Sequence, residues 1–124
     1  MKKSLYIFAL IGLFILSACY GKEGLPLGKE FVLEANPVVT ITFSQEENRF
    51  YGNAQVNRYF GTYKVDGDKL QLSTMGTTMM AAPMEEMNAE QSYLKTLGDV
   101  VSFKTENNNL ILQTPSQDVI FVAK

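Results

Sequence analysis

A chain of 124 residues with a single cysteine and no histidine has few routes to catalysis. Ser-His and Cys-His nucleophile pairs need an imidazole, and the usual zinc sites draw on Cys and His ligands, so both chemistries are excluded. Ser92 and Lys95 stand at S-x-x-K spacing, which on a helix sets a hydroxyl one turn from an amine. The companion S-D-N is missing and Lys95-Thr96-Leu97-Gly98 is not K-T-G, so the pair reads as a solvated helix face. Glu46-Glu47 and Glu85-Glu86 are adjacent carboxylates. Adjacent residues do not face one another, and acid-base work needs two carboxyls converging from different elements. Asp66-Gly67-Asp68 lacks the further ligands of a calcium loop and reads as a turn. No catalytic residues, cofactor or metal site are expected.

Sulfur is the remaining reactive element. Of the six methionines, Met75, Met79, Met80, Met84 and Met87 fall within one short stretch. Thioethers select Cu(I), which makes a soft-metal site one reading. Flexible Met side chains also fill irregular gaps, here between a sheet and a helix, and this packing role is the expectation. The binding alternative is an apolar groove at these five residues that accepts a lipid or a partner's helix.

Cys19 has a different context. Lys2 and Lys3 precede an apolar run from Leu5 to Leu16, broken by Gly12 and followed by the small Ser17-Ala18. That is the pattern of a secretory signal. The run is well short of the roughly 20 apolar residues that a spanning helix needs. Leu16-Ser17-Ala18-Cys19 resembles the lipobox of bacterial lipoproteins. The resemblance implies that residues 1–18 are removed and that Cys19 carries acyl chains; the alternative is an ordinary signal peptide cut after Ala18, leaving a free thiol. Two or three chains on one cysteine anchor a protein stably to a membrane. Tyr20, rather than Asp, follows Cys19. By analogy with lipoprotein sorting, the expected location is the cell envelope, at the outer membrane where the organism has one.

Removing Lys2 and Lys3 from eleven basic residues leaves nine against thirteen acidic, a net charge of −4. That charge opposes nucleic acid as a partner and gives no electrostatic hold on an anionic lipid surface. From Cys19 onward, 124 less 18 leaves 106 residues, enough for one core and not for two. With one cysteine there is no internal disulfide, and eight Phe and six Tyr must supply much of the burial. Residues 19–29, with Gly21, Gly24, Pro26 and Gly28, read as a lipidated tether, and residues 30–124 as the domain.

Within the domain, alternation with period two dominates. Val39, Ile41 and Phe43 share one face, opposite Thr40, Thr42 and Ser44. Phe50, Gly52, Ala54 and Val56 repeat the pattern, as do Tyr59, Gly61, Tyr63 and Val65. Asp66-Gly67 signals a two-residue hairpin leading to Leu70 and Leu72. Residues 74–84 lose the alternation and end at a proline. Glu85 to Leu97 then reads as the one helix, with Met87, Leu94 and Leu97 on its apolar side, Tyr93 at the margin and Gly98 as its stop. Three strands follow, separated by Asn107-Asn108-Asn109 and by Pro115-Ser116-Gln117-Asp118, and the last, Val119 to Ala123, reads as covered on both faces.

Two stretches are similar to the META/HslJ-like domain family of bacterial envelope proteins. Gly52-Asn53-Ala54-Gln55-Val56-Asn57-Arg58-Tyr59-Phe60-Gly61 resembles that family's G-x-x-G-C-N-x-Y-x-G strand pair. Thr78-Met79-Met80-Ala81-Ala82-Pro83 resembles its T-R-M-A-C segment, followed at the right distance by the helix with Glu90 and Leu97. Gly52, Val56, Asn57, Tyr59, Gly61, Thr78, Met80 and Ala82 take the structural motif positions. Val56 and Ala82 stand where the family has cysteines, a paired loss of the kind a disulfide or close thiol pair leaves, and Val56 is expected to point into the core. The resemblance implies an α+β fold: a strongly curved antiparallel sheet, a half-barrel, wrapped against one helix. It also implies a non-enzymatic role, associated in some family members with heat shock, antibiotic tolerance and envelope integrity. The alternative is a pilot-like chaperone or carrier that holds a hydrophobic peptide or acyl chain inside the half-barrel.

Overall fold

The computed structural model describes residues 24–124; Cys19 and the expected signal segment lie outside them. Eight strands run in chain order: β1 (Glu30–Leu33), β2 (Thr40–Phe43), β3 (Arg49–Asn53), β4 (Arg58–Asp66), β5 (Lys69–Thr77), β6 (Ser102–Glu106), β7 (Asn109–Gln113) and β8 (Asp118–Ala123). One helix, α1 (Met84–Gly98), is inserted between β5 and β6. Each strand pairs antiparallel with its neighbour in sequence. The α+β class and the curved antiparallel sheet with one helix are therefore as expected.

The sheet curls further than a half-barrel. β1 pairs with β8 through Phe31↔Ala123, Val32↔Val122 and Leu33↔Phe121, so the two ends of the domain meet. Local alternation carries no signal for a pairing between such distant segments. The result is ring-like rather than a fully hydrogen-bonded barrel, because β5 and β6 share the single pair Lys69↔Ser102. Two backbone bonds flank that pair, Leu70 N–H to Val101 O and Phe103 N–H to Asp68 O, both 3.0 Å.

Inward positions of the strands fill the ring. Phe31, Ile41, Phe43, Phe50, Tyr59, Leu110, Leu112 and Phe121 are almost wholly excluded from solvent. Through the middle runs an aromatic column: Tyr63 meets Phe43 edge-on at 5.3 Å between centroids, Phe43 meets Phe50 at 6.0 Å, and Phe50 meets Tyr59 at 6.0 Å. Such tilted contacts align ring edges with ring faces and add to the stabilisation from burial. Val65 leaves the pattern and is exposed at the far end of β4.

Several boundaries differ from expectation for local reasons. The β4–β5 hairpin turns at Gly67-Asp68, one residue late, with Gly67 at φ 64°. The type I′ geometry appears instead at Asn107-Asn108, where φ is 51° and 70°. The alternation of β3 ends at Ala54, because Gln55 takes φ 95° and turns the chain. Val56 is consequently half-buried in a bend rather than pointing into the core. Strand β5 continues to Thr77 through a bulge opposite Phe60 and Gly61, so the irregular segment is only 78–83. Gly98 lies inside α1, and Asp99 caps it by donating its N–H to Thr96 O at 3.0 Å. On β8 only Phe121 is fully buried, so the two-faced cover expected there is partial. Part of the expected tether is docked: Leu25 joins the core, and Gly28 N–H donates to Phe43 O at 2.7 Å.

Candidate functional site

The face that α1 presents to the ring is Glu90, Tyr93 and Leu97, at spacing i, i+3, i+7. Two of the expected contact residues, Met87 and Leu94, are half-buried, whereas Tyr93 is central rather than marginal. Glu90 is 1% exposed, and sequence reasoning gave it no role beyond its family position. The readable signal was its spacing to Tyr93 and Leu97. What makes burial tolerable is remote in sequence.

That remote partner is the bend after β3. Glu90 Oε1 accepts the backbone N–H groups of Val56 at 2.9 Å and Asn57 at 2.7 Å, and Oε2 accepts Asn57 Nδ2 at 2.7 Å. Burial raises the carboxyl's pKa, but these three donors outweigh it and hold Glu90 below its ordinary value. The group is therefore ionised at neutral pH with its charge met by N–H dipoles alone.

Asn57 relays the contact onward. Its Oδ1 accepts Thr78 Oγ1 at 2.9 Å and Met80 N–H at 2.6 Å, which pins the segment leading into α1. Thr78 Oγ1 accepts Arg58 N–H at 3.1 Å, and Thr78 N–H donates to Arg58 O at 3.0 Å. Asn57, Thr78 and the backbone of Met80 thus form one knot around Glu90. Val56 contributes its amide and not its side chain, and Ala82 is half-buried just before Pro83 caps the helix.

A second contact lies one turn along α1. Tyr59 donates its hydroxyl to Thr40 O at 2.8 Å and stands 2.5 Å from the Tyr93 hydroxyl. The Tyr59 proton is committed to Thr40, so Tyr93 must be the donor between the two phenols. Burial pushes both phenols well above their ordinary pKa, which leaves this chain of bonds neutral.

The two motif glycines have steric causes. A Cβ on Gly52 would lie 2.1 Å from Thr40 O, and one on Gly61 would lie 2.1 Å from Ser73 O. Either would push apart neighbouring backbones, and at Gly61 the added atom would also meet the Phe50 ring at 2.8 Å.

Met79, Met80 and Met84 are exposed, and Met87 is half-buried. The sheet-to-helix gap expected for them is filled by Tyr93, Leu97 and the Glu90 knot instead. These methionines line none of the described clefts. A cleft of 560 Å³ sits at the β5–β6 seam between Val65, Leu70 and Val101, and a polar groove of 320 Å³ lies on the outer face between Thr40, Thr42 and Arg58. Among the described residues, no three His, Cys, Asp or Glu side chains converge as a metal site would require. No helix among them is long and apolar enough to cross a membrane. Glu90 has both oxygens engaged by N–H donors and lines none of the described clefts, an arrangement suited to holding structure.

A ring of antiparallel strands with a filled interior, locked to a single helix by a buried carboxylate and a tyrosine pair, defines the class of domain. The chain belongs to the META domain family, whose model matches residues 18–124. A protein from Burkholderia xenovorans solved by NMR is similar in fold, with a TM-score of 0.64 at 21% identity over 79% of this chain and 83% of that one. A DUF4847 family protein from Bacteroides vulgatus is similar with a TM-score of 0.56 at 18% identity, over 68% of this chain and 58% of that one. A further NMR structure gives 0.56 at 23% identity, over 76% and 87%. No curated protein sequence matches the chain.

Proposed function

We propose that this protein is a non-enzymatic lipoprotein of the cell envelope, anchored through acyl chains on Cys19, that acts by binding with its outer surface. Its service is envelope maintenance or tolerance of stress and antibiotics. The observation that carries the binding mode is the packed interior: the aromatic column and Phe31, Leu110, Leu112 and Phe121 are buried together in one cluster inside the ring. A carrier would need an open apolar cavity beside the methionine segment. Among the described residues the one fully buried carboxylate, Glu90, has both oxygens bonded by donors, which supports a role without catalysis.

Native mass spectrometry of the protein purified from its own host's membranes tests this reading. The expected result is an acylated Cys19 at the N-terminus and a domain that carries no lipid or peptide in its core. An unmodified N-terminus at Cys19 would remove the anchoring, and a retained acyl chain or hydrophobic peptide that persists after outer-surface substitutions would turn the reading toward a carrier.

A further inference from the structure

Outside the ring, β2, β3 and β4 present a face that the filled core leaves without a role. Tyr51 and Phe60 are opposite one another across β3 and β4 and are 44% and 47% exposed. Phe60 in turn faces Gly76 on β5, and a Cβ there would come within 3.0 Å of the Phe60 ring. The ring therefore lies down over the glycine and shows a face to solvent. Beside Tyr51 opens the 320 Å³ groove, with Thr40 and Thr42 along it and Asn53 and Arg58 at its end.

The groove has unused hydrogen-bonding capacity. Thr40 and Thr42 are each only 8% exposed. Thr40 Oγ1 accepts Asn53 N–H at 3.1 Å, which leaves its proton free, and the Thr42 hydroxyl has no partner among the described residues. One spare hydroxyl proton on Thr40 and the whole Thr42 hydroxyl are thus open to the groove, where water or the hydroxyl of a ligand can meet them. The charges are uneven as well. Glu30 in the groove wall is bonded to Lys124 Nζ at 3.2 Å, and Arg49 on the same face pairs with Glu47 at 3.1 Å. Arg58 forms no ion pair among the described residues, so its guanidinium is open to a ligand at this groove.

We infer that this face binds an acidic glycan, a chain of pyranose rings bearing carboxylates. A pyranose ring has an apolar C–H face that stacks on an exposed aromatic ring, here Tyr51 and Phe60, and a rim of hydroxyls that meets Thr40, Thr42 and Asn53. Arg58 offers the planar fork that a carboxylate accepts through two parallel bonds. An extended acidic peptide fits less well, because β2, β3 and β4 are paired along both edges and offer no free strand edge to add to. The inference rests on the reading of this protein as a surface-binding module and names the ligand class of that surface.

Calorimetric titration of the full-length chain with tetragalacturonate, chitotetraose and a glutamate tetrapeptide separates the outcomes. Tetragalacturonate is expected to bind, with affinity falling about tenfold in Tyr51→Ala and in Phe60→Ala. Arg58→Gln is expected to lower the affinity at least fivefold and to remove the preference over neutral chitotetraose. Unchanged melting temperatures in the three variants certify their folding. No binding of tetragalacturonate, equal binding of chitotetraose by the unaltered protein, tighter binding of the tetrapeptide, or indifference to Tyr51→Ala would each overturn the inference. If that happens while the host-purified protein still carries a surface partner, the binding-module reading stands and only this ligand falls.

Discussion

The two edges of β5 are held in opposite ways. Toward β4 it is zipped through eight residue pairs, from Tyr59↔Thr77 to Asp66↔Lys69, with one bulge. Toward β6 it has one pair, Lys69↔Ser102, and beyond that α1 takes the place of a strand. A ladder is redundant, since each of its bonds is one of many. The helix itself is tied by side-chain bonds not to β5 but to the neighbouring strands, through Glu90 to the Asn57 bend between β3 and β4 and through Tyr93 to Tyr59 on β4. The difference teaches where this fold is fragile: a ring with one weak seam concentrates its dependence on a few buried polar side chains.

The largest expected effect comes from removing the centre of that knot. Glu90→Ala leaves three N–H donors without their charged acceptor, and each bond of that kind contributes about 1.5–3 kcal/mol, in part recovered by entering water. A loss of about 4 kcal/mol in urea unfolding is expected, against less than about 0.5 kcal/mol for Glu86→Ala on the exposed side of the same helix. A double-mutant cycle sharpens the point. Glu90→Gln turns an amide toward Asn57 Nδ2, donor against donor, and Asn57→Asp sets a second carboxylate against Glu90. Combined, the two changes restore one donor and one acceptor, so the double variant is expected to be at least about 1 kcal/mol more stable than the sum of the singles. Additivity would mean that the two side chains act independently.

Acid should find the same carboxylate first. Glu90 is held below its unfolded value of about 4.3, so its contribution is complete above that pH and is lost as pH falls through the lower, folded value. Stability followed from pH 7 to pH 3 is expected to stay level down to about 5 and then to fall. In Glu90→Gln the fall should be shallower, because the titrating group is gone. An unchanged acid slope would place the loss in other carboxylates.

The zipped half of the molecule was largely legible in the sequence, and the seam was not. Ile41, Phe43, Phe50, Tyr59, Tyr63, Leu70 and Leu72 announce their burial through period two, because strand faces follow from residue order. The helix was found to within a residue at each end from its lack of breakers and from Pro83. The buried Glu90 could not be inferred from its type, since a carboxylate on a helix is usually solvated. Its burial depends on two amides that become free donors only because Gln55 turns the chain. Closure of β1 on β8 was hidden for a related reason: pairing between distant segments leaves no mark on either one alone. The family resemblance pointed to Asn57, Thr78 and Tyr59 without giving their work. The structure supplies it as hydrogen bonds.

The smallest effect is the most discriminating, because it tests the direction of one proton. Tyr93 donates to Tyr59, and Tyr59 donates to Thr40 O. Tyr59→Phe would remove an acceptor from Tyr93 and a donor from Thr40, which leaves two buried polar groups unmet. Tyr93→Phe would remove one donor, and the Tyr59 hydroxyl would keep its bond to Thr40. A buried group left unmet costs about 1–3 kcal/mol, whereas the loss of one ordinary bond costs about 1 kcal/mol. Tyr59→Phe is therefore expected to destabilise by about 2 kcal/mol and Tyr93→Phe by about 1 kcal/mol, although each removes one hydroxyl from the same short contact. Both rings keep their edge-to-face packing, with centroids 5.6 Å apart, so the difference isolates the hydroxyls. Equal losses, or a larger loss at Tyr93, would mean that the proton runs the other way and that the helix receives the bond from the sheet.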